Sequence, residues 1–274
     1  MKFKLFYTFF IIFLISILEI FSRVIDNKEI YTLKNWVTIQ LEQNTENQTF
    51  SFHPNIGWVG KKNVNINGDL KISNTTIPNI DQLIITHNEY GFRKTGVLDQ
   101  SKKNILTVGD SFTWGSEVND SDSYPFQLNN MVDFNVINVA NGGYGTDLMW
   151  LQLQDKIKQI DPEVVIKSPN TNALLINAYR RWGRAFKPYY EVKENKKLIL
   201  KNTPVPRNSD AVRDIGIFQS VFGRFYLFTF IFNRIGLSEV WINKNKLVDK
   251  VMTNEEAVEV GCLILQEMNE SYLL

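Results

Sequence analysis

The stretch Asn104-Ile105-Leu106-Thr107-Val108-Gly109-Asp110-Ser111-Phe112-Thr113-Trp114-Gly115 decides the fold. Its apolar run ends at Gly109, Asp110 and Ser111 follow, and a helix-compatible segment comes next. This order predicts a buried parallel strand that delivers a serine to a strand-to-helix turn. Two interpretations are open for the polar pair. Either the residues cap the helix, because both types are favoured at N-caps, or the serine is a nucleophile at the carboxyl edge of an open α/β sheet, where active sites lie.

The same arrangement recurs twice further along the chain. Residues 135–139 and 164–166 are short apolar strands, each followed by a polar or glycine-rich loop. The segments between the strands predict helices with Ser123 and Thr146 at their N-caps. The second helix carries four apolar residues on one face: Met149, Leu153, Ile157 and Ile160. Strands and helices that alternate at this spacing predict right-handed crossovers and a parallel sheet, and therefore an α/β fold.

An apolar run at residues 5–22 follows Lys2 and Lys4. It is a cleaved signal peptide, an uncleaved anchor or a buried helix, and the apolar residues on every face disfavour the last of these. No small-residue cleavage pattern precedes Asn27, so we predict that residues 1–22 are a membrane anchor. The positive-inside rule then places the rest of the chain on the extracytoplasmic side.

The rest of the chain falls into two regions. Residues 23–100 are an asparagine-rich lead-in with little periodicity, which we expect to connect the anchor to a domain over residues 101–274. The patterns in the second half of that domain predict four further elements: strands of a hairpin at 189–192 and 198–200, a buried helix at 215–236 and a last helix at 254–269.

The composition excludes several classes of function. The chain has 274 residues, a net charge of +1 and no sustained basic face, so we expect no nucleic-acid partner. Cys262 is the only cysteine, which excludes an intramolecular disulfide and a cysteine zinc site, and its apolar neighbours predict a small core residue. The glycine-rich loop at residues 142–145 has neither the dinucleotide-binding spacing nor a Walker lysine, and we expect no cofactor or metal.

Three strand ends carry residues suited to ester hydrolysis. Ser111 follows the first strand, Gly143 the second and Asn172 the third. When a serine attacks an ester, negative charge grows on the carbonyl oxygen, and a preorganised donor to that oxygen contributes about 2.7–4 kcal/mol in the best-studied case. The backbone N–H groups of the first two residues and the side-chain amide of the third are donors of this kind. Asn170 lies two residues before Asn172 and is a rival for the amide role.

Three blocks of the sequence resemble those of the SGNH (GDSL-like) hydrolase family. Residues 109–115 look like its first block, and residues 138–146 look like its second, with Gly143 at the block's glycine. Residues 161–166, followed by Asn172, look like the approach to its third. Further similarity to membrane-anchored members lies in the flanks at residues 87–93 and 187–206, and the resemblance covers roughly residues 85–270.

The resemblance implies a specific fold and site. The fold is a three-layer α/β/α sandwich around a parallel, flavodoxin-like sheet. Ser111 is the nucleophile, Asp110 helps to fix the turn, and Ser111, Gly143 and Asn172 form the oxyanion hole.

Two features depart from the family pattern. The third block usually pairs its asparagine with an aspartate, whereas Ala173 follows Asn172 here, which removes a carboxylate but leaves the oxyanion donor. The fourth block supplies an aspartate and the general-base histidine, but the only two histidines, His53 and His87, both precede Ser111. Neither is expected to replace the base, because nothing in the sequence brings them to the carboxyl edge of the sheet.

Three explanations of the missing histidine are open: a truncated sequence, a degenerate protein, or a protein that borrows its base from elsewhere. We expect truncation, and hence an SGNH domain that is incomplete at its C-terminus, because the third strand would otherwise be an exposed edge of a parallel sheet.

The sequence thus predicts a membrane-anchored SGNH-type serine ester hydrolase. It would act through an acyl-Ser111 intermediate on an acylated carbohydrate or lipid-like ester, with residues 5–22 as its contact with the membrane. We expect little or no activity from the present chain, because the base is missing. The alternatives are an envelope polysaccharide O-acetyltransferase of the same superfamily and a non-catalytic, membrane-tethered binding protein. Nothing in the sequence indicates the oligomeric state.

Overall fold

The computed structural model describes residues 2–30, 35–37, 49–68, 83–182, 185–207, 216–241 and 249–271. The helices are α1 (Lys2–Ile25), α2 (Ser111–Trp114), α3 (Tyr124–Met131), α4 (Thr146–Ile160), α5 (Thr171–Ile176), α6 (Ile217–Phe222), α7 (Tyr226–Arg234), α8 (Ser238–Trp241) and α9 (Asn254–Glu270). The strands are β1 (Phe50–His53), β2 (Gly57–Gly60), β3 (Asn65–Gly68), β4 (Leu83–Thr86), β5 (Asn104–Gly109), β6 (Asn135–Asn138), β7 (Val164–Ser168), β8 (Tyr179–Trp182), β9 (Ala185–Phe186), β10 (Tyr189–Lys193), β11 (Lys197–Lys201) and β12 (Asp249–Lys250).

The chain divides into two compact units. One comprises Met1–Asn44 and Asn208–Leu247, and the other comprises Thr45–Arg207 and Val248–Leu274. Residues 49–68 and 83–100 belong to the same unit as the parallel sheet. We call the two units the helical unit and the sheet unit.

The sheet unit is built on three parallel strands in the order β6-β5-β7. Leu106 of β5 lies opposite Ile137 of β6 on one side and Val165 of β7 on the other. In chain order this is a 2-1-3 arrangement, the order of the first three strands of a flavodoxin-like sheet. The prediction of an α/β fold with a parallel sheet is therefore confirmed. Within the described residues, β7 pairs with β5 alone and forms an edge of this sheet.

One face of the central strand carries the main core. Leu106 and Val108 project to the same side, as the period of a strand requires, and pack with apolar residues of α4 and α9. The packed positions of α9 are Ala257, Val260, Gly261, Ile264 and Met268, which recur at helical spacing. Cys262 falls off this stripe and is exposed, so its prediction as a core residue is wrong.

The predicted helices around the sheet are present, with small changes at their ends. Thr146 is the first residue of α4 rather than its cap, which is Gly145. Its hydroxyl instead accepts a hydrogen bond from the Asn177 side-chain amide at 2.7 Å. Ser123 does stand at the N-cap of α3, but its hydroxyl donates to the Asp120 carbonyl oxygen.

The predicted hairpin is confirmed as β10 and β11, which pair antiparallel from Tyr189↔Lys201 to Lys193↔Lys197. The segment that leads into it is tied to the start of α4. The Lys187 ammonium pairs with the Asp147 carboxylate, and both side chains are completely buried. The hairpin is therefore anchored beside the helix that follows the glycine loop.

The segment before the first parallel strand is also folded. β1 pairs with β2 and β3 pairs with β4, both antiparallel. Leu83 and Ile85 of β4 are buried with Trp114 and Ala140, which flank the strand ends of the parallel sheet. The lead-in is thus part of the wall around the carboxyl edge of the sheet.

The helical unit contains one helix long and apolar enough to cross a membrane. The span Phe6–Ile25 has a mean hydropathy of 2.2 and is 11% buried. The prediction of one buried helix at residues 215–236 is wrong, because the chain forms α6 and α7 with a turn at Gly223 between them. No residue of α6 is buried, and Ile217 is 85% exposed.

Candidate functional site

Ser111 lies at the carboxyl end of the central strand. β5 ends at Gly109, and α2 begins only two residues later. A Cβ at Gly109 would lie 2.1 Å from the Thr113 hydroxyl oxygen, so the first turn of α2 packs directly over the strand end. Only glycine fits this close approach. The predicted strand-to-helix turn is therefore present, and it leaves Ser111 partly exposed.

The two residues of the polar pair, Asp110 and Ser111, have different roles in the structure. Asp110 is the N-cap of α2, and its carboxylate accepts a hydrogen bond from the Phe112 N–H at 2.9 Å. Burial raises the pKa of the Asp110 carboxyl, while hydrogen bonds from backbone N–H groups and the Asn170 amide oppose that rise. Ser111 is not a cap, and its hydroxyl has no hydrogen-bond partner among the described residues. Its Oγ is free to meet a ligand.

The glycine loop after β6 lies beside Ser111. A Cβ built on Gly142 would be 4.0 Å from the Ser111 Cβ. Gly143 has a φ of +76°, and a Cβ there would be 3.3 Å from the Trp182 ring. In the described part of the chain, the backbone N–H groups of Ser111 and Gly143 find no acceptor. The start of α2 and the glycine loop thus each offer one N–H donor that has no acceptor in the described part of the chain.

The third strand contributes Asn170 rather than Asn172. Asn170 is the N-cap of α5, and its side-chain oxygen accepts from the Ala173 N–H at 2.9 Å. The Asn170 amide also interacts with the Asp110 carboxylate and lowers the pKa of that carboxyl. An amide nitrogen carries two hydrogens, so one remains for a ligand. Asn172 is the second residue of α5 and is exposed, and no hydrogen bond joins it to Asp110 or Ser111 in the described residues.

Trp58 sets the orientation of the glycine loop. Its indole N–H donates to the Gly142 carbonyl oxygen at 2.9 Å, and its own carbonyl oxygen accepts from the Tyr144 hydroxyl at 2.7 Å. The Gly142 carbonyl and the Gly143 N–H belong to one planar trans peptide, so fixing the first fixes the direction of the second. Trp58 could not be identified from a local sequence pattern, because its partner lies 84 residues away.

Arg93 fixes the other end of the serine helix. Its guanidinium donates to the carbonyl oxygens of Trp114, Gly115 and Val118, at the C-terminal end of α2 and in the loop that follows. It is buried and pairs with Asp120 at 2.8 Å. A cation at a helix C-terminus complements the helix dipole as well as the unpaired carbonyl groups. Arg93 therefore holds α2, and with it Ser111, against the sheet.

His87 is a structural histidine in this arrangement. Its Nε2 accepts from the Trp114 indole N–H at 3.1 Å, and its Nδ1–H donates to the Lys61 carbonyl oxygen at 2.9 Å. These partners require the neutral ring with the proton on Nδ1. Burial lowers the pKa of His87 to about 4. Its only lone pair already has a donor, so it cannot take the proton of Ser111.

His53 offers no closer substitute. It lies on β1, and its Nδ1 accepts from the Asn55 N–H at 3.3 Å. Burial lowers the pKa of His53, with a smaller opposing influence from Asp155. No hydrogen bond joins it to Ser111 in the described part of the chain.

Aromatic side chains surround the donors. Phe50 lies 3.4 Å from a Cβ position on Gly142 and packs against Trp114, and Trp182 borders Gly143. Phe112, next to Ser111, is exposed. This apolar border suits the hydrocarbon part of an acyl group. Among the residues that the structure describes, no group of three histidine, cysteine, aspartate or glutamate side chains could hold a metal ion.

No protein-family model matches the chain, and a search of curated proteins finds no significantly similar sequence.

Proposed function

We propose that the sheet unit is an SGNH-type domain whose Ser111 is the nucleophile for acyl-ester hydrolysis. The proposal rests on one observation above all. Ser111 stands at the carboxyl end of the central strand with a free hydroxyl, beside a glycine loop in which the Gly143 N–H has no acceptor among the described residues. The three-layer sandwich and the family assignment belong to the same proposal. The 2-1-3 strand order and the sequence blocks support both.

The proposed chemistry assigns one role to each residue. The Ser111 Oγ attacks the ester carbonyl carbon, and the tetrahedral oxyanion accepts hydrogen bonds from the N–H groups of Ser111 and Gly143. The Asn170 amide is the third donor in place of Asn172, because only Asn170 reaches the site through Asp110. Collapse of the intermediate expels the alcohol and leaves an acyl-serine, which water hydrolyses in a second step.

Proton transfer limits the reaction in this chain. A serine hydroxyl needs a base to become an effective nucleophile, and the 274 residues contain two histidines, of which His87 has both ring nitrogens engaged. We therefore propose that the chain binds and slowly accepts an acyl group but does not turn over rapidly. The same observation favours, as a second candidate, a non-catalytic protein that binds acylated ligands.

The border of the site supports the proposed substrate class, and the helical unit supports the proposed location. The aromatic side chains suit an acylated carbohydrate or lipid-like ester, and an envelope polysaccharide O-acetyltransferase would use the same Ser111 chemistry with a different acceptor. Phe6–Ile25 would anchor the protein, with Lys2 and Lys4 on the cytoplasmic side and the sheet unit outside.

Binding of butylboronic acid tests the proposed site independently of the missing base. Boron accepts the serine oxygen, the hydroxyl proton passes to a buffer base, and the boron becomes a tetrahedral anion that resembles the oxyanion intermediate. We expect a tetrahedral boron NMR signal with the full chain in detergent. Ser111→Ala should abolish it, whereas Ser116→Ala, which removes a nearby partly exposed hydroxyl, should leave it intact. A signal that survives Ser111→Ala, or no signal with the unmodified chain, would refute the proposed site.

A further inference from the structure

The helices of the helical unit expose an apolar face. Helices α6 to α8 and the turns between them carry eight large apolar side chains that are at least two-fifths exposed: Ile217, Phe218, Val221, Phe225, Ile231, Ile235, Leu237 and Val240. The opposite side of the same helices is packed, with Trp241 and Val37 buried against phenylalanines of α6 and α7. The exposed face is therefore not a loosely packed core but the outer surface of an ordered cluster.

A glutamate of the apolar helix caps α7. The two Glu19 carboxylate oxygens accept from the N–H groups of Tyr226 and Leu227 at 2.9 and 2.8 Å. Arg23 pairs with Glu19 at 2.6 Å. These N–H groups open the first turn of α7, which has no acceptor of its own there. The charge of Glu19 is thus matched by an arginine and by the positive end of a helix.

Further bonds join the cluster to the C-terminal end of α1. The Tyr226 hydroxyl donates to Asp26 at 2.5 Å, and Arg234 pairs with Asp26 at 3.1 Å. The Asn35 amide donates to the carbonyl oxygens of Gln219 and Ser220, at the end of α6. The cluster is fixed to the last turns of the apolar helix at several points.

This attachment sets the depth of the cluster. Glu19 precedes Ile25, the end of the candidate span, by six residues, which at 1.5 Å per residue corresponds to about 9 Å along α1. Helices that lie in a membrane interface bury their apolar faces about 5–10 Å into the boundary between headgroups and acyl chains. The N-terminus of α7 is therefore held at the depth of the interface and not above it.

We infer that α6 to α8 form an interfacial module that lies in the outer boundary of the bilayer spanned by α1, with its exposed apolar face among the lipids. The inference rests on the proposal that Phe6–Ile25 spans a membrane, and it is independent of the chemistry of Ser111. Arg224 and Arg234 are exposed on the same module, and long cationic side chains can reach lipid phosphates from this depth. We infer that lipid covers the exposed apolar face because Glu19 holds the N-terminus of α7 at the depth of the interface.

Depth-dependent fluorescence quenching tests this placement. In a Cys262→Ser background, single cysteines at Val221→Cys and Ile15→Cys carry an environment-sensitive fluorophore. The full chain is reconstituted into vesicles of phosphatidylethanolamine and phosphatidylglycerol. Two spin-labelled lipids quench the fluorescence. The shallow label is attached near the headgroup, and the deep label is attached near the end of the acyl chain. We expect the shallow label to quench position 221 and the deep label to quench position 15.

The experiment tests the interfacial placement of α6 to α8 and the membrane span of α1 separately. Quenching at position 15 with none at position 221 would overturn the interfacial placement while leaving the span intact. No quenching at position 15 would overturn the span and the inference with it. Neither result bears on butylboronic acid binding at Ser111.

Loss of the Glu19 cap provides the second test. Glu19→Ala makes the span more apolar and leaves Arg23 bonded to the carbonyl oxygens of Glu29 and Ile30. We expect the hydrogen-exchange rates of the Tyr226 and Leu227 amides to rise by about ten-fold, because the loss of one helix cap destabilises the first turn of α7 by a corresponding amount. Glu29→Ala removes an exposed carboxylate and should leave exchange unchanged. Equal exchange in the two variants would contradict the proposed attachment.

Discussion

The indole N–H of Trp58 donates a hydrogen bond to the carbonyl oxygen of Gly142 at 2.9 Å. This bond joins the second strand of the chain to the loop beside Ser111, and it turns the N–H of the next residue, Gly143, in the opposite direction. The orientation of a proposed oxyanion donor therefore depends on a residue from the segment before the parallel sheet.

Trp58→Phe should weaken butylboronic acid binding by about 2- to 10-fold, because the aromatic ring remains but the hydrogen bond that orients the loop is lost. The boron NMR titration measures this. Tyr144→Phe is the matched control, since it removes the other hydrogen bond of the same pair and leaves the Gly142 carbonyl held. If the two variants lose affinity equally, Trp58 acts only through stability.

Asn170→Ala should lower both stability and ligand affinity, whereas Asn172→Ala should change neither. The first variant removes the N-cap of α5, which costs about 1 kcal/mol, and also the amide that faces Asp110. The second variant removes an exposed side chain. Urea unfolding of the full chain in detergent and the boronate titration provide the two readouts. A loss of affinity confined to Asn172→Ala would return the amide role to that residue.

His87 should make the protein less stable as the pH falls. Its pKa is about 4 in the folded state and about 6.5 in the unfolded state, so the unfolded chain binds more protons between these values. The free energy of unfolding therefore decreases from about pH 6.5 to about pH 4, by up to about 3 kcal/mol. Above this window the histidine is neutral in both states and contributes no pH dependence.

Urea unfolding at both ends of that window measures the effect. His87→Gln retains an acceptor for the Trp114 indole but does not titrate, so its stability should fall less with pH than that of the unmodified chain. His53→Gln should retain most of the dependence, because His53 is only half buried. An identical slope in His87→Gln would show that His87 is not the neutral, buried group described above.

The sequence predicted the parallel sheet because local patterns determine it. The apolar run before Gly109 and the polar pair after it mark a strand end without reference to the rest of the chain, and the structure has β5 at Asn104–Gly109. The choice between Asn170 and Asn172 could not be made in the same way. It depends on which residue caps α5, and helix ends are the least predictable part of a local pattern.

Long-range contacts explain what the sequence did not predict. Trp58 acts through a partner 84 residues away, and no local pattern reports such a pairing. The segment at residues 215–236 was predicted to be buried because it is apolar. Apolar content alone does not distinguish a core helix from an exposed apolar surface, and α6 in the structure has no buried residue.

Acylation of Ser111 by p-nitrophenyl butyrate is the sharpest test of Ser111 as a nucleophile, because one experiment follows both acylation and the base-dependent deacylation. The serine oxygen bonds to the acyl carbon, p-nitrophenolate leaves, and the serine proton passes to a buffer base. Peptide mass mapping locates the butyryl group while p-nitrophenolate release is followed over time. We predict that the butyryl group accumulates on Ser111 in preference to Ser116, and that release stops at about one equivalent because deacylation also needs the missing base. Sustained turnover that Ser111→Ala abolishes, or no butyryl group on Ser111, would contradict the account.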